Sequence, residues 1–328
     1  MSISVLMPAN LDQRFGWVRH AVRFLYLLGH QGETIIGVWK GQESIPALDA
    51  FCRQVSPHIR IVRQDGEARN TKRLLDLAEM SHGEYLVTQG DDDLLFPSGL
   101  HYARELLRND LAIACTQGRF IQLHLDRPQR PGEYFIFPFP VWQALENHPL
   151  ERLENFVNNV SMTWHALYRR GFFIERMAAM NDLYHQDMTR DDALFETLGD
   201  LYAAVKGKFV VFNEMYMFRG KHQTQGSRTF SSGNHMREFP HLILADNFSA
   251  SYKVLQGKIA DLLASLGVDV QTADERIMNA HVKLLERVLN GKRGELEPDE
   301  AAWQAMLRQQ PMHPALVEAL SAVHATRP

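Results

Sequence analysis

Residues 83–97 read Gly83-Glu84-Tyr85-Leu86-Val87-Thr88-Gln89-Gly90-Asp91-Asp92-Asp93-Leu94-Leu95-Phe96-Pro97. Tyr85 to Thr88 is short, apolar and partly β-branched, as a buried strand is. It runs into three adjacent aspartates. Neighbouring carboxylates repel one another more strongly as the local dielectric falls, and a folded chain tolerates them best with a cation among them. Hard divalent ions such as Mg2+ and Mn2+ take oxygen ligands, commonly one or two carboxylates together with substrate phosphates. Aspartate also suits a solvated turn or a helix N-cap, so the triplet by itself leaves that plainer use open.

Upstream, the same kind of segment repeats. Ile3 to Met7 is an apolar run closed by Pro8, Thr34 to Trp39 is a second, and Ile59 to Val62 a third. Helical patterns stand between them. Trp17, Val18, Ala21, Val22, Leu25 and Leu28 share one face, and Gly29 stops that helix. Pro46 to Val55 and Asn70 to Met80 supply two more, the latter with Leu74, Leu75, Leu77 and Ala78 on its apolar side. Strand–helix alternation of this kind predicts an α/β fold with a mainly parallel sheet flanked by helices. Ligands of such sheets bind beyond the carboxyl ends of the strands. Pro8 to Gln13, Asp65 and the triplet all fall at such ends, so three polar segments are expected along one edge.

Downstream, residues 99–108 and 191–205 and Leu150 to Asn158 read as helices. Leu111 to Cys115, Thr163 to Tyr168 and Phe209 to Phe218 read as strands. Residues 124–140, rich in Pro, Arg and Phe, read as a loop or irregular flap. From Phe239 onward the pattern is helical, with Leu255, Ile259, Leu262, Leu263 and Leu266 at helical spacing. The expected organisation is a domain over 1–238, with halves of about 1–120 and 121–238, and a helical C-terminal region over 239–328. That region's apolar faces need a partner surface: the first domain, or a second copy in a homo-oligomer.

Composition narrows the classes. The chain has 328 residues, 45% hydrophobic and 23% charged, which is ordinary for a globular protein. A formal net charge of −4 does not call for nucleic acid. Cys52 and Cys115 make no disulfide framework, so a reduced compartment is expected. The N-terminus has no basic stretch followed by a long apolar one. No run reaches the roughly 18 apolar residues of a membrane span. The expectation is a cytoplasmic protein with no transmembrane segment, at most peripheral at the inner face of a membrane. No phosphate-binding loop, dinucleotide fingerprint, zinc-protease helix or nucleophile elbow is present.

Five segments, taken in order, resemble family-2 glycosyltransferases of the GT-A (nucleotide-diphospho-sugar transferase) fold. They are Ile3-Ser-Val-Leu-Met-Pro8-Ala-Asn10, then Gly66-Glu-Ala-Arg69-Asn70, Gly83 to Pro97, Arg190-Asp191-Asp192, and Met217-Phe218-Arg219-Gly-Lys221-His222 with Gly226-Ser227. The resemblance spans roughly residues 3–228. It implies that Pro8, Ala9, Asn10 and Asp65 line the nucleotide, with Arg69 and Lys72 near it. Asp91 would belong to the ribose side of a DxD-type motif. Asp92 would be the leading metal ligand, Asp93 the second, and His222 would complete the metal shell or touch the diphosphate. Arg219 and Lys221 would face the diphosphate. Asp192, or else Asp191, would be the catalytic base. Two departures stand out: the second strand ends Val38-Trp39-Lys40 without an acid, and the acceptor pair is Asp-Asp rather than Glu-Asp.

The implied chemistry is a metal-dependent (Mn2+ or Mg2+), inverting transfer of a sugar from a UDP- or GDP-linked donor. The acceptor would be a glycan, lipid-linked or protein hydroxyl. A cation and basic side chains stabilise charge that develops on the leaving diphosphate, and a carboxylate accepts the acceptor's proton. Two rivals are a sugar nucleotidyltransferase, which would want a Gly-rich loop after the first strand, and a non-catalytic nucleotide- or glycan-binding protein on the same fold.

Overall fold

The structure, a computed structural model, describes residues 2–65, 70–124, 136–139, 143–159, 163–185, 192–221, 248–269 and 271–279. The chain opens with β1 (Ile3–Pro8), α1 (Leu11–Leu27), β2 (Glu33–Trp39), α2 (Ile45–Val55), β3 (Ile59–Gln64), α3 (Asn70–Met80) and β4 (Tyr85–Thr88). These four strands pair in parallel, β2 between β3 and β1, and β1 between β2 and β4. The near-continuous apolar runs of β1, β2 and β4 follow from having both faces covered, whereas β3, at the sheet's edge with Arg60 and Arg63 in it, is only partly buried. Leu6 of β1 enters one core with Ile35, Leu74 and Leu86, whereas Val5 and Met7 enter cores on the other face.

Beyond β4 come β5 (Leu94–Leu95), α4 (Pro97–Asn109), β6 (Ile113–His124), β7 (Ile136–Phe139), α5 (Pro149–Asn159), β8 (Leu167–Arg169), α6 (Arg170–His185), α7 (Asp192–Lys206), β9 (Lys208–Lys221) and α8 (Phe248–Ser265). The sheet order is β3-β2-β1-β4-β8-β6-β9-β5, with β7 pairing onto β6. The second half is mixed: β8 is antiparallel to β4 and β6, β9 is parallel to β6, and β5 is antiparallel to β9. Helices α1, α2 and α4 cover one face, and α3, α5, α6, α7 and α8 pack on the other. The α/β fold expected from the sequence is therefore the one found. One sheet runs through residue 120, so the two proposed halves share it, and the boundary at 238 lies outside the described residues.

Two local expectations need correction, and one helix had not been anticipated. Part of the 124–140 segment is strand β7, antiparallel to β6 through pairs such as Phe120 with Phe139 and Leu123 with Ile136. Among the described residues four positions of the segment pair, Ile136 to Phe139, too short a run to show a period in the sequence. The strand expected over Thr163 to Tyr168 is regular only from Leu167. Before it, Ala166 donates to the Thr163 carbonyl (3.0 Å) in a turn. Helix α6 had no clear amphipathic signature. Phe173, Met177 and Met180 are fully buried, and Phe172, Ile174, Ala178 and Ala179 pack around them. A helix covered on several sides does not display one apolar stripe.

Helix α8 uses its apolar face within the chain. Leu255, Ile259, Leu262 and Leu263 join the core that holds Phe173 of α6 and Leu198 of α7. Burying each such leucine contributes about 1.5–3 kcal/mol.

Candidate active site

The site is built where β4 ends. Gln89 extends the ladder by donating its N–H to the Leu6 carbonyl (2.9 Å). Its side-chain amide then donates to the Asp93 carbonyl (2.7 Å), folding the triplet back on itself. Asp93 N–H completes the turn on the Gly90 carbonyl (3.3 Å). Glycine at 90 leaves room for the Asp93 carboxylate, since a Cβ there would lie 2.5 Å from Asp93 Oδ2 and displace it. Asp91, Asp92 and Asp93 are only 5%, 7% and 5% exposed, so the triplet is no solvated acidic turn. Three buried carboxylates need positive partners.

Arg14 supplies one. Its guanidinium forms an ion pair with Asp91 and lies 3.6 Å from Asp92 Oδ2. The backbone N–H of Asn10 also points at Asp91 Oδ2 (3.4 Å). Burial, with the Asp92 charge beside it, pushes the Asp91 carboxyl up to about 6, against the pull of Arg14. Asn10 is fixed from behind: Gln42 donates to its side-chain oxygen (3.1 Å), and Trp39 N–H donates to Gln42 Oε1 (3.2 Å).

Arg73, almost wholly buried on α3, ties the strand ends together. It donates to the carbonyls of Gly37 (2.7 Å) and Ala9 (3.2 Å) and to Gln64 Oε1 (3.1 Å). Its guanidinium also stacks on Trp39, 5.3 Å from the ring centroid. Burial lowers its pKa to about 10, which leaves it charged at neutral pH.

From the other side, His165 Nε2 reaches within 3.5 Å of Asp93 Oδ2, and Nδ1 lies 3.0 Å from the Thr88 carbonyl. Burial and the Arg219 charge push this imidazole down to about 4. Arg219 follows Phe218, the register partner of Leu94 in the β5–β9 pair, so β9 brings its backbone alongside Asp93.

The structure thus gathers Asn10, Asp91, Asp92 and Asp93, with Pro8 and Ala9 on the same strand end, where Ala9 N–H donates to Gly37 (2.8 Å). Asp65 is 77% exposed and pairs with Lys40 (2.6 Å) at the surface. Lys72 pairs with Asp76 one helical turn on. Arg69, Asp191 and His222 lie outside the described residues, as do the side chains of Asp192, which opens α7, and Lys221, which ends β9. Sequence reasoning missed Arg14, Gln42, Arg73 and His165. Arg73 alone left a trace, a charge beside Leu74 on a helix whose neighbours are core.

Among the described residues, no three His, Cys, Asp or Glu side chains form a ready-made metal cage. The donor set still fits a hard cation, because Asp92 and Asp93 offer buried carboxylate oxygens on adjacent residues of one tight turn. Mg2+-type ions are usually held by one or two carboxylates completed by phosphates and water. No helix among the described residues is long and apolar enough to cross a membrane.

No protein-family model matches the chain, and no curated protein does. Among solved structures it is similar to residues 1–349 of S. aureus TarS, at 11% identity over 89% of this chain and 92% of that one, with a TM-score of 0.47. It is also similar to that protein in complex with UDP-GlcNAc, at 13% identity over 100% and 89% of the two chains, with a TM-score of 0.46. The complex with UDP aligns at 12% identity over 89% and 92%, with a TM-score of 0.45.

Proposed function

We propose that this chain is a glycosyltransferase that moves a sugar from a nucleoside-diphosphate sugar to an acceptor hydroxyl. The observation behind it is the burial of three adjacent carboxylates at the carboxyl edge of a parallel sheet, against the Pro8–Asn10 loop and beside cationic Arg14, with the Arg219 charge felt at neighbouring His165. Few structural needs bury three carboxylates at a strand end, whereas a cation-assisted phosphate site does.

In this reading the Pro8–Asn10 loop, braced by Arg73 and Gln42, positions the nucleoside, and Asp91 stands on the ribose side. Asp92 and Asp93 hold a Mn2+ or Mg2+ ion. When bound, that ion supplies positive charge to the departing diphosphate. Arg219 and Lys221 add fixed positive charge at the same edge. Asp192, with Asp191 as the alternative, accepts the proton of the acceptor hydroxyl, a contribution of about 10²–10⁴-fold. Attack from the face opposite the leaving group inverts the anomeric centre, as the family-2 resemblance implies. The acceptor is a glycan, lipid-linked or protein hydroxyl, and the setting is cytoplasmic.

The test is release of UDP or GDP from a panel of sugar nucleotides, with and without Mn2+. Turnover of at least one donor, increased by Mn2+, is expected. Binding of a donor with no turnover under any acceptor mixture would favour a non-catalytic binding protein instead.

A further inference from the structure

The cation that faces the triplet belongs to the chain itself. Arg14 forms an ion pair with Asp91, stands 3.6 Å from Asp92, and its side chain is 12% exposed. It reaches the site from a break in α1: its own backbone (φ −134°, ψ 15°) departs from helical values, although its N–H still donates to the Asn10 carbonyl (3.1 Å). The sequence places it four residues beyond Asn10, so the guanidinium stands at the start of the helix that follows the proposed nucleoside loop.

A guanidinium keeps its charge at every physiological pH. It cannot make way for a second cation by losing a proton. A divalent ion bound through Asp92 would therefore meet a fixed positive charge a few ångströms away, in a buried setting where screening is weak. One of the two must yield. We infer that Arg14 is a resident counter-cation, anchored on Asp91, whose charge opposes a divalent metal at the neighbouring Asp92 carboxylate, holding the triplet together before metal arrives and weakening the metal's grip. This rests on reading Asp92 and Asp93 as the cation site, and it assigns Arg14 a regulatory role there.

Two properties follow from one contact. Loss of the Arg14 charge destabilises the metal-free protein, because buried Asp91 loses its ion-pair partner and Asp92 a nearby positive charge. The same loss strengthens metal binding, because the opposing charge is gone. An ordinary structural ion pair would give the first effect without the second.

The experiment is Mn2+ titration of the full chain by calorimetry, in parallel with thermal melting, on wild type, Arg14→Gln and Arg14→Lys. Arg14→Gln is expected to bind Mn2+ about tenfold more tightly than wild type. It is expected to melt lower without metal and to recover with it. Arg14→Lys, which keeps the charge, is expected to bind Mn2+ like wild type. Should Arg14→Gln be unfolded in metal-free buffer, addition of Mn2+ must restore its melting transition. Unchanged or weaker Mn2+ binding by a folded Arg14→Gln, or equal tightening in Arg14→Lys, would overturn this opposition and leave the cation site standing. No Mn2+ or Mg2+ binding by any of the three would overturn both.

Discussion

His165 Nε2 lies 3.5 Å from Asp93 Oδ2, across a gap of 72 positions in sequence, while its Nδ1 lies 3.0 Å from the Thr88 carbonyl oxygen. A carbonyl only accepts, so Nδ1 carries the proton. Burial pushes the ring's pKa down to about 4, so a second proton is absent at neutral pH. Nε2 thus presents a lone pair toward a carboxylate, an arrangement suited to a shared cation. Nitrogen NMR of selectively labelled protein at about pH 7 is expected to show a neutral ring protonated on Nδ1. Two N–H signals from His165 at that pH would contradict this account.

Opposed titrations shape the acid response. His30 and His165 are both pushed down to about 4 by burial. Between the ordinary histidine value and 4, the unfolded chain takes up protons that the folded one refuses, so these residues withdraw stability as pH falls. Asp91 and Asp200, both pushed up to about 6 by burial, act the other way. They keep their protons in the folded state after the unfolded chain has lost them, and withdraw stability as pH rises from about 4 to 6. The two pairs largely offset, flattening the wild-type profile. His30→Leu isolates one of them. Relative to wild type, it should gain on the order of 3 kcal/mol between pH 7 and 4 in urea denaturation. A difference independent of pH would contradict the buried neutral His30.

Gly90→Ala separates site from scaffold. The new Cβ would fall 2.5 Å from Asp93 Oδ2, a carboxylate that can swing aside. Stability is expected to change by only about 1 kcal/mol. Donor turnover and Mn2+ binding are each expected to fall by about tenfold or more, because the displaced group is a candidate ligand. Full activity in this variant would mean that the Asp93 position is immaterial.

Arg73 tests how the nucleoside loop is held. Arg73→Met keeps the stem but removes the donor to the Ala9 carbonyl and to Gln64 Oε1, and one of the two donors to the Gly37 carbonyl. Removing one partner of such a buried network costs about 3–5 kcal/mol. Urea denaturation should show that loss, and nucleotide affinity should drop in the fraction that remains folded. Unaltered stability would remove Arg73 from the account.

These contacts mark the limit of what the sequence shows. The strands β1, β2 and β4 were legible because burial on both faces forces near-unbroken apolar runs, β3 through Ile59, Ile61 and Val62, and α3 over Asn70–Met80. The triplet was legible because three adjacent acids are rare in a packed chain. Arg14 was not: it lies in a polar stretch where a charge is unremarkable, and only the break in α1 turns it onto Asp91. His165 was hidden for another reason. It sits in Thr163-Trp164-His165-Ala166, and what places it is the Thr163 N–H and hydroxyl donating to Asp200 of α7 (2.9 and 2.6 Å). Contacts between distant segments leave no local pattern. Asp65 has no such single reading, because a strand-end acid fits both a ligand role and the surface pair with Lys40 that the structure contains.

The central claim is that Asp92 grips a cation which a nucleoside diphosphate completes. Thermal melting of wild type and Asp92→Asn, each with UDP or GDP and with or without Mn2+, tests it most directly, since a ligand of the native state raises apparent stability by mass action. Wild type is expected to gain stability from at least one nucleoside diphosphate, with a larger gain when Mn2+ is present, and Asp92→Asn to lose most of that Mn2+-dependent increment. Equal increments in the two proteins would contradict the claim.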